Sequence, residues 1–301
     1  MKKDIINEAF LQKLELLDMY IKDNVAGAFG GNHRSKKYGS SSEFADFREY
    51  IPGDDIRRID WNVFARFEKL FLKLYLDERQ MHTKIYIDGS ISMKGENEKK
   101  AEMALRLAAT FAFFSIKAMD KVSIYYIDNN RTYKIIDRIV GKDSFYSFIG
   151  ALNDIKFDSK STFISDAIMN HQTGYGNGMS IIISDFLTNN NYFNAISHLR
   201  SKHRDVLCIQ LLDDDELNPK FAGKNIFYDS ENNNTYKKNI NKDVIKAYYE
   251  ALNYITSSIS SFCNSREATY LLVNANSKID DIILNQAISK GVIKWLISYI
   301  L

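Results

Sequence analysis

Asp88, Ser90 and Ser92 stand in close succession where an apolar run, KIYID (84–88), gives way to GSISM. Further on, Thr162 closes the polar stretch DSKST ahead of a helical pattern, and Asp185 follows the apolar run MSIIIS. Together these are two carboxylates and three hydroxyls, with no histidine or cysteine among them. All are hard oxygen donors, the kind that suits Mg²⁺ or Mn²⁺ rather than zinc or copper. Asp-x-Ser-x-Ser by itself is an ordinary polar turn, and its weight comes from its companions at the ends of two other segments. The donor around Thr162 stays open. Ser159, Ser161 and Ser165 carry the same hydroxyl, and Thr162 could instead cap a helix. Asp166 reads as a first-turn charge that favours the helix dipole.

Those residues need elements to aim them. From residue 84 onward strand patterns alternate with helix patterns. KIYID, KVSIYYID, MSIIISD, DVLCIQLL and ATYLLVN read as strands, and TYKIID as a further one. Helices are expected over 97–118, 142–153, 163–170, 190–202, 243–261 and from about 279 onward. Two short strand-like pieces, NIFYD and NTYKK, follow the acidic DDDE. Such alternation calls for an α/β fold with a mostly parallel central sheet and helices on both faces. Fully apolar runs such as IIIS suit strands buried on both sides. Ligands of such sheets bind beyond the carboxyl ends of the strands, which is where Asp88 and Asp185 fall.

The first 80 residues read differently. Residues 4–24 form an amphipathic helix, with Ile6, Phe10, Leu14, Leu17 and Ile21 on the face that docks on the body of the protein. Residues 26–41 are rich in Gly and Ser and read as a loop. PGDD reads as a turn, and LFLKLYLDE as a half-exposed strand. The expected organisation is therefore 1–80, an N-terminal helix with a small irregular and β extension, followed by an α/β domain over 81–301.

Composition narrows the function classes. The chain has 301 residues, 45% of them hydrophobic, enough for a sizeable core. The formal net charge of +2 removes a global drive toward nucleic acid or anionic membrane. No window offers the roughly 18 apolar residues of a membrane span, and the N-terminus lacks a signal-peptide core. Cys208 and Cys263 read as thiols rather than a disulfide, which fits a reducing cytoplasm. The histidines are scattered and suggest no Ser/His/Asp arrangement.

Asp88, Ser90 and Ser92, then Thr162, then Asp185, resemble the metal-ion-dependent adhesion site of von Willebrand factor type A domains. The resemblance implies a Rossmann-like type A fold and a bound Mg²⁺, or Mn²⁺ or Ca²⁺ in its place. It implies that the serines bind the ion directly and the aspartates mostly through water. It also implies an open position for an Asp or Glu of a protein partner. Upstream, Arg34 and Gly39, then EFADFREYIPGDD, RRIDWNVFAR and KLYLDER resemble the signature of the bacterial and archaeal domain of unknown function 58. That likeness spans roughly residues 27–300. It implies an adaptor or assembly factor working with a MoxR-type AAA+ ATPase, and it resembles the family's members without transmembrane helices. In the signature segment Phe44, Phe47, Tyr50, Ile56, Ile59 and Trp61 are expected to form a small core, with Asp and Arg paired around it. The alternative is a partner surface that includes Arg57, Arg58, Asp60, Trp61 and Arg66.

Three functions follow for testing. The first is a non-enzymatic, metal-dependent protein-interaction module. The second is a metal-dependent hydrolase or phosphotransfer protein that uses Asp88 as nucleophile. Against it, the Asp-x-Asp of common phosphatases is replaced here by Asp88-Gly-Ser90. The third, a nucleic-acid module, lacks the basic stripe with interleaved aromatics that it would need.

Overall fold

The computed structural model describes residues 4–24, 38–76, 80–95, 97–171, 173, 174, 176, 178–188, 191–220, 223–228 and 235–292. Arg34, the tail of KLYLDER and the end of the last expected helix lie outside them. Two compact units divide the chain, Met1–Phe29 with Met81–Leu301, and Gly30–Gln80. The N-terminal helix α1 (Glu8–Asn24) thus belongs with the α/β unit and not with the segment that follows it. The reason is burial. Phe10, Leu14, Leu17 and Ile21 enter the same apolar cluster as Ile85 and Phe113.

In the small unit, β1 (Tyr38–Glu49) pairs antiparallel with β2 (Phe71–Leu76). Tyr38–Ser41 are strand, a correction to the expected loop over 26–41. The register slips between Gly39 and Phe44 and again between Phe44 and Asp46, so strict alternation never develops. PGDD is the expected turn. The Asp54 N–H donates to the Ile51 carbonyl at 3.0 Å, and Gly53 takes φ +107°, which a side chain would resist. Helix α2 (Trp61–Phe67) starts at Asp60, whose carboxylate accepts from the N–H groups of Asn62 and Val63. Ile59 and Leu72 are buried, but Ile56 and Trp61 are each 61% exposed and Phe47 41%. The small core expected there is therefore only partly formed. Trp61 is the first residue of a short helix, and its ring lies edge-on to Phe64 at 6.0 Å instead of packing inward.

The α/β unit is built on six strands: β3 (His82–Asp88), β4 (Lys121–Asp128), β5 (Arg131–Ile139), β6 (Met179–Ser184), β7 (Asp205–Leu212) and β10 (Thr269–Asn274). Helices fall between them: α3 (Lys99–Lys117), α4 (Lys142–Phe148), α5 (Ile164–Asn170), α6 (Phe193–Ser201), α7 (Asp214–Leu217) and α8 (Lys242–Ser265). The sheet order is β10-β7-β6-β3-β4-β5. All neighbours are parallel except β4 and β5, which a tight turn joins antiparallel. A separate hairpin pairs β8 (Gly223–Tyr228) with β9 (Thr235–Ile240). Helical turns follow over Ile279–Asp281 and Ile282–Ala287. Among the described residues no helix is long and apolar enough to cross a membrane.

Period-two alternation divides the strands between two cores. Ile85, Ile87, Ile181 and Ile183 face a cluster with α1 and α3. Tyr86, Ile182 and Cys208 face the other, with α5, α6 and α8. Helix α3 presents Ala101, Ala104, Ala108 and Ala112, all buried, so its backbone can approach the sheet closely. Cys208 and Cys263 are buried free thiols.

Asp120 secures the turn into β4. Its Oδ1 accepts the Met81 N–H at 2.9 Å, while Oδ2 is buried with no hydrogen-bond partner among the described residues. Burial lifts its pKa from 3.8 to about 6, against the pull of the Met81 N–H. A folded pKa above the unfolded one means that its contribution is full below about pH 4 and is lost as pH rises through about 6. Asp120→Asn is therefore expected to raise stability by about 1–2 kcal/mol at pH 8 and by nothing at pH 4. Urea unfolding at both pH values reads this, and a destabilised variant at pH 8 would contradict it.

Candidate metal centre

Strand β3 ends at Asp88 because Gly89 turns the chain. A Cβ at Gly89 would lie 2.1 Å from Tyr126 Cζ and 2.4 Å from the Ile127 carbonyl, so the turn admits no side chain. The Gly89 N–H donates to the Ile127 carbonyl at 3.0 Å. The Ser90 N–H then donates to Asp88 Oδ1 at 2.9 Å, and the Ser90 and Ser92 hydroxyl oxygens meet at 3.0 Å. A single turn of 3-10 helix over Ile91–Met93 brings Ser92 back beside Ser90.

The loop of 158–162 is stitched to this turn. Ser159 bridges to Ser90, and Thr162 bridges to Asn129 at the start of the β4–β5 turn. The Tyr126 hydroxyl donates to the carbonyls of Gly89 at 3.2 Å and Lys156 at 2.6 Å, joining the two loops. Thr162 is buried and its hydroxyl hydrogen-bonds the Asp88 carboxylate. Its competitors are committed elsewhere. The Ser159 hydroxyl donates to the Ser161 carbonyl and accepts from the Asn129 N–H. The Ser165 hydroxyl donates to the Asn191 carbonyl and accepts the Ala195 N–H, tying α5 to α6. Asp166 is exposed in the first turn of α5.

Asp185 follows β6 and is 3% exposed. Its Oδ1 accepts the Leu187 N–H at 3.1 Å, and Oδ2 accepts from the Lys100 ammonium at 3.2 Å. Lys100, at the start of α3, also pairs with Glu216 at 2.7 Å. Glu216 closes a capping box with Asp213 on α7. Neither Lys100 nor Glu216 was anticipated. On a helix pattern a lysine reads as a solvated face, and 116 residues separate this one from its glutamate partner. Ser184, whose hydroxyl donates to Asp88 Oδ2 at 2.6 Å, was hidden within an apolar strand.

The edge carries more negative charge than it neutralises. Burial, then the Asp185 charge, push the Asp88 carboxyl above its usual range, against hydrogen bonds from Ser184, the Ser90 N–H and Thr162. Burial works against the Lys100 charge, but Asp185 and Glu216 outweigh it and hold the ammonium above the ordinary lysine value. That one cation contacts Asp185 and not Asp88. The donor set fits a small hard cation. Ligands at 2.0–2.1 Å in an octahedron are about 2.9 Å apart along an edge, and Ser90 Oγ and Ser92 Oγ stand at 3.0 Å. Both Asp88 oxygens already accept hydrogen bonds, which suits a carboxylate that acts on an ion through water. Among the described residues no group of three or more His, Cys, Asp or Glu side chains could hold a metal ion. The site therefore depends on its hydroxyls.

The signature residues lie in the other unit. Arg57 forks onto Asp55 with two contacts of 3.0 Å and is otherwise exposed. Arg58 and Arg66 are exposed. Asp60 is buried as the α2 cap and pairs with Lys73 at 3.1 Å, so it is structural.

Residues 46–257 match the family model described as "Protein of unknown function DUF58". An uncharacterized protein of Mycobacterium tuberculosis is 24% identical over 238 residues, covering 77% of this chain and 74% of its own. Among solved structures, the conserved hypothetical protein BatB from Bacteroides thetaiotaomicron aligns at a TM-score of 0.40 and 13% identity, over 72% of this chain and 97% of its own. The SpRpn10 VWA domain aligns at a TM-score of 0.39 and 10% identity, over 69% and 95%. Strand order and polarity make the larger unit an α/β fold with a mostly parallel central sheet.

Proposed function

The chain belongs to the family described as protein of unknown function DUF58, and from that premise we propose that it is a non-enzymatic protein-interaction module that works through a divalent cation. The observation that carries this reading is the convergence of Asp88, Ser90, Ser92, Thr162 and Asp185 on one sheet edge, with excess buried negative charge. Ser90 and Ser92 would hold the ion directly, Thr162 would lie beside them, and Asp88 and Asp185 would act through water. Mg²⁺ ligated by neutral hydroxyls stays electrophilic and supplies a contact for an acidic side chain of a partner. The chain's own part is to hold the two serines at ligand spacing. The loop clasp at Tyr126 keeps them there.

The nucleophile reading of Asp88 has less support. Both its oxygens are engaged and the residue is 2% exposed, so an incoming phosphoryl group would have to displace those contacts. By family resemblance a MoxR-type AAA+ ATPase is the proposed partner, with the exposed Arg57, Arg58, Trp61 and Arg66 as a second contact surface.

Calorimetric titration with MgCl₂ tests the site. Ser90→Ala and Asp88→Asn are expected to weaken binding tenfold or more while circular dichroism stays unchanged. Partner capture by the parent is expected to fail in EDTA. Parent-like Mg²⁺ affinity in both variants would overturn the reading.

A further inference from the structure

The opposite, amino-terminal end of the same strands holds a polar cavity of about 560 Å³. Lys84 opens the argument. It sits inside β3 between the partners Ser123 and Ser180, and it is 5% exposed. A lysine in the middle of a central strand is a buried charge, which costs several kcal/mol unless something compensates it. The Lys84 ammonium has no hydrogen bond or ion pair with any described residue, and the residue lines the cavity.

Arg204, 3% exposed, lies beside it. Its Nε donates to Ser180 Oγ at 2.6 Å, and Nη2 donates to the carbonyls of His82 and Met179. Those bonds fix the guanidinium without a carboxylate. Gly178, at φ +154°, lets the backbone pass: a Cβ there would lie 2.5 Å from the His82 carbonyl and 3.1 Å from Arg204 Nη1. Arg138, His82, His171 and His198 are also in the wall, and among the described residues no acidic side chain lines it. The acids whose charges reach these cations are taken: Asp137 by Lys134 at 2.8 Å and by the Ser123 hydroxyl, and Asp205 by Arg200 at 3.1 Å. His171 Nε2 is buried with no hydrogen-bond partner among the described residues.

We propose that this cavity is an anion site that takes the phosphate group of a soluble small molecule, with Lys84 and Arg204 as its charged floor and Arg138 at its rim. A phosphate supplies two charges and several acceptor oxygens, matching an ammonium and a fixed guanidinium edge. The volume exceeds a bare phosphate and lies in the range of small-molecule pockets. The cations are mutually unfavourable without a ligand. Burial, then Arg204 and Arg138, lower the Lys84 pKa to about 8, so an anion that raises it again also stabilises the fold. The rival explanation is that these cations only complement the carboxyl ends of α5 and α6. Lys84 makes no bond to either helix end, which favours the ligand. Four residues of β3, roughly 13 Å, separate Lys84 from Asp88, so the two sites are distinct.

Thermal unfolding and calorimetry in EDTA, at fixed ionic strength, decide between them, with inorganic phosphate and a nucleoside diphosphate as probes. The parent is expected to gain stability with either probe beyond a chloride control. Lys84→Met is expected to be more stable than the parent without ligand and to bind at least tenfold more weakly. Arg138→Gln, at an exposed position, is expected to weaken binding several-fold without lowering the unliganded stability, since it removes a cation that opposes Lys84. Equal responses to phosphate and chloride, or parent-like affinity in both variants, would overturn the proposal. So would a response only to anionic phospholipid vesicles.

Discussion

Gly89→Ala is expected to lower the stability of the α/β unit by about 3 kcal/mol or more and, on the proposed function, to abolish Mg²⁺ binding in whatever folded fraction remains. Inserting volume into a packed site usually costs about 1–3 kcal/mol because neighbours can shift. Here they cannot shift cheaply. The new methyl would fall 2.1 and 2.2 Å from the Tyr126 ring, and 2.4 Å from a backbone carbonyl of β4. The ring is tethered through its hydroxyl to two carbonyls. Relief would require peeling the turn off β4, and that turn carries Asp88 and Ser90. Urea unfolding reads the loss, and a variant within 1 kcal/mol of the parent would show the turn to be pliable.

Lys100→Met is the second large effect. Removing one partner of a buried ion pair costs about 3–5 kcal/mol, because the other charge stays behind unpaired. Lys100 has two partners, Asp185 and Glu216. With the ammonium gone, the Glu216 carboxyl, which burial already holds above its usual range against the pull of Lys100, is expected to rise further. A carboxyl raised in the folded state favours folding at low pH and opposes it as pH rises. The variant should therefore lose most stability at pH 8 and least near pH 4. On the proposed function, Mg²⁺ supplies the missing charge, so millimolar MgCl₂ should restore more stability to Lys100→Met than to the parent. Equal Mg²⁺ responses would separate the lysine from the site.

What could be read in the sequence depended on range. The apolar strands were legible because each is a local pattern: Ile181, Ile182 and Ile183 must be covered on both sides wherever the chain runs. Asp88 and Asp185 were legible because strand ends are where such sheets place polar groups. Lys100, Glu216 and Ser184 were not. Each looks solvated or apolar in its own neighbourhood and acquires its role from a partner far away in the chain. Strand β1 escaped for a different reason, since its slipped register erases the alternation that marks a strand. The exposed Trp61 defied a rule of thumb that large aromatics pack inward, because it opens a short helix capped from below by Asp60. The cationic cavity was invisible as a set. His82 and Lys84 in β3, His171 after α5 and Arg204 ahead of β7 come from three separate segments that meet only where parallel strands begin.

The placement of Asp88 at the tip of β3 has a mechanical consequence. Strand β3 is hydrogen-bonded along seven residues to β4 and along four to β6, both parallel to it. A partner held at the carboxyl edge and pulled away would load β3 along its own axis. Both ladders would then be sheared together, with many bonds resisting at once, instead of being unzipped one by one. Tension applied at this edge should be borne by the centre of the sheet. Resistance to force is governed by the unfolding barrier rather than by equilibrium stability. Single-molecule pulling from a cysteine placed near Ser92 should therefore meet a higher rupture force than pulling from the antiparallel edge at β5.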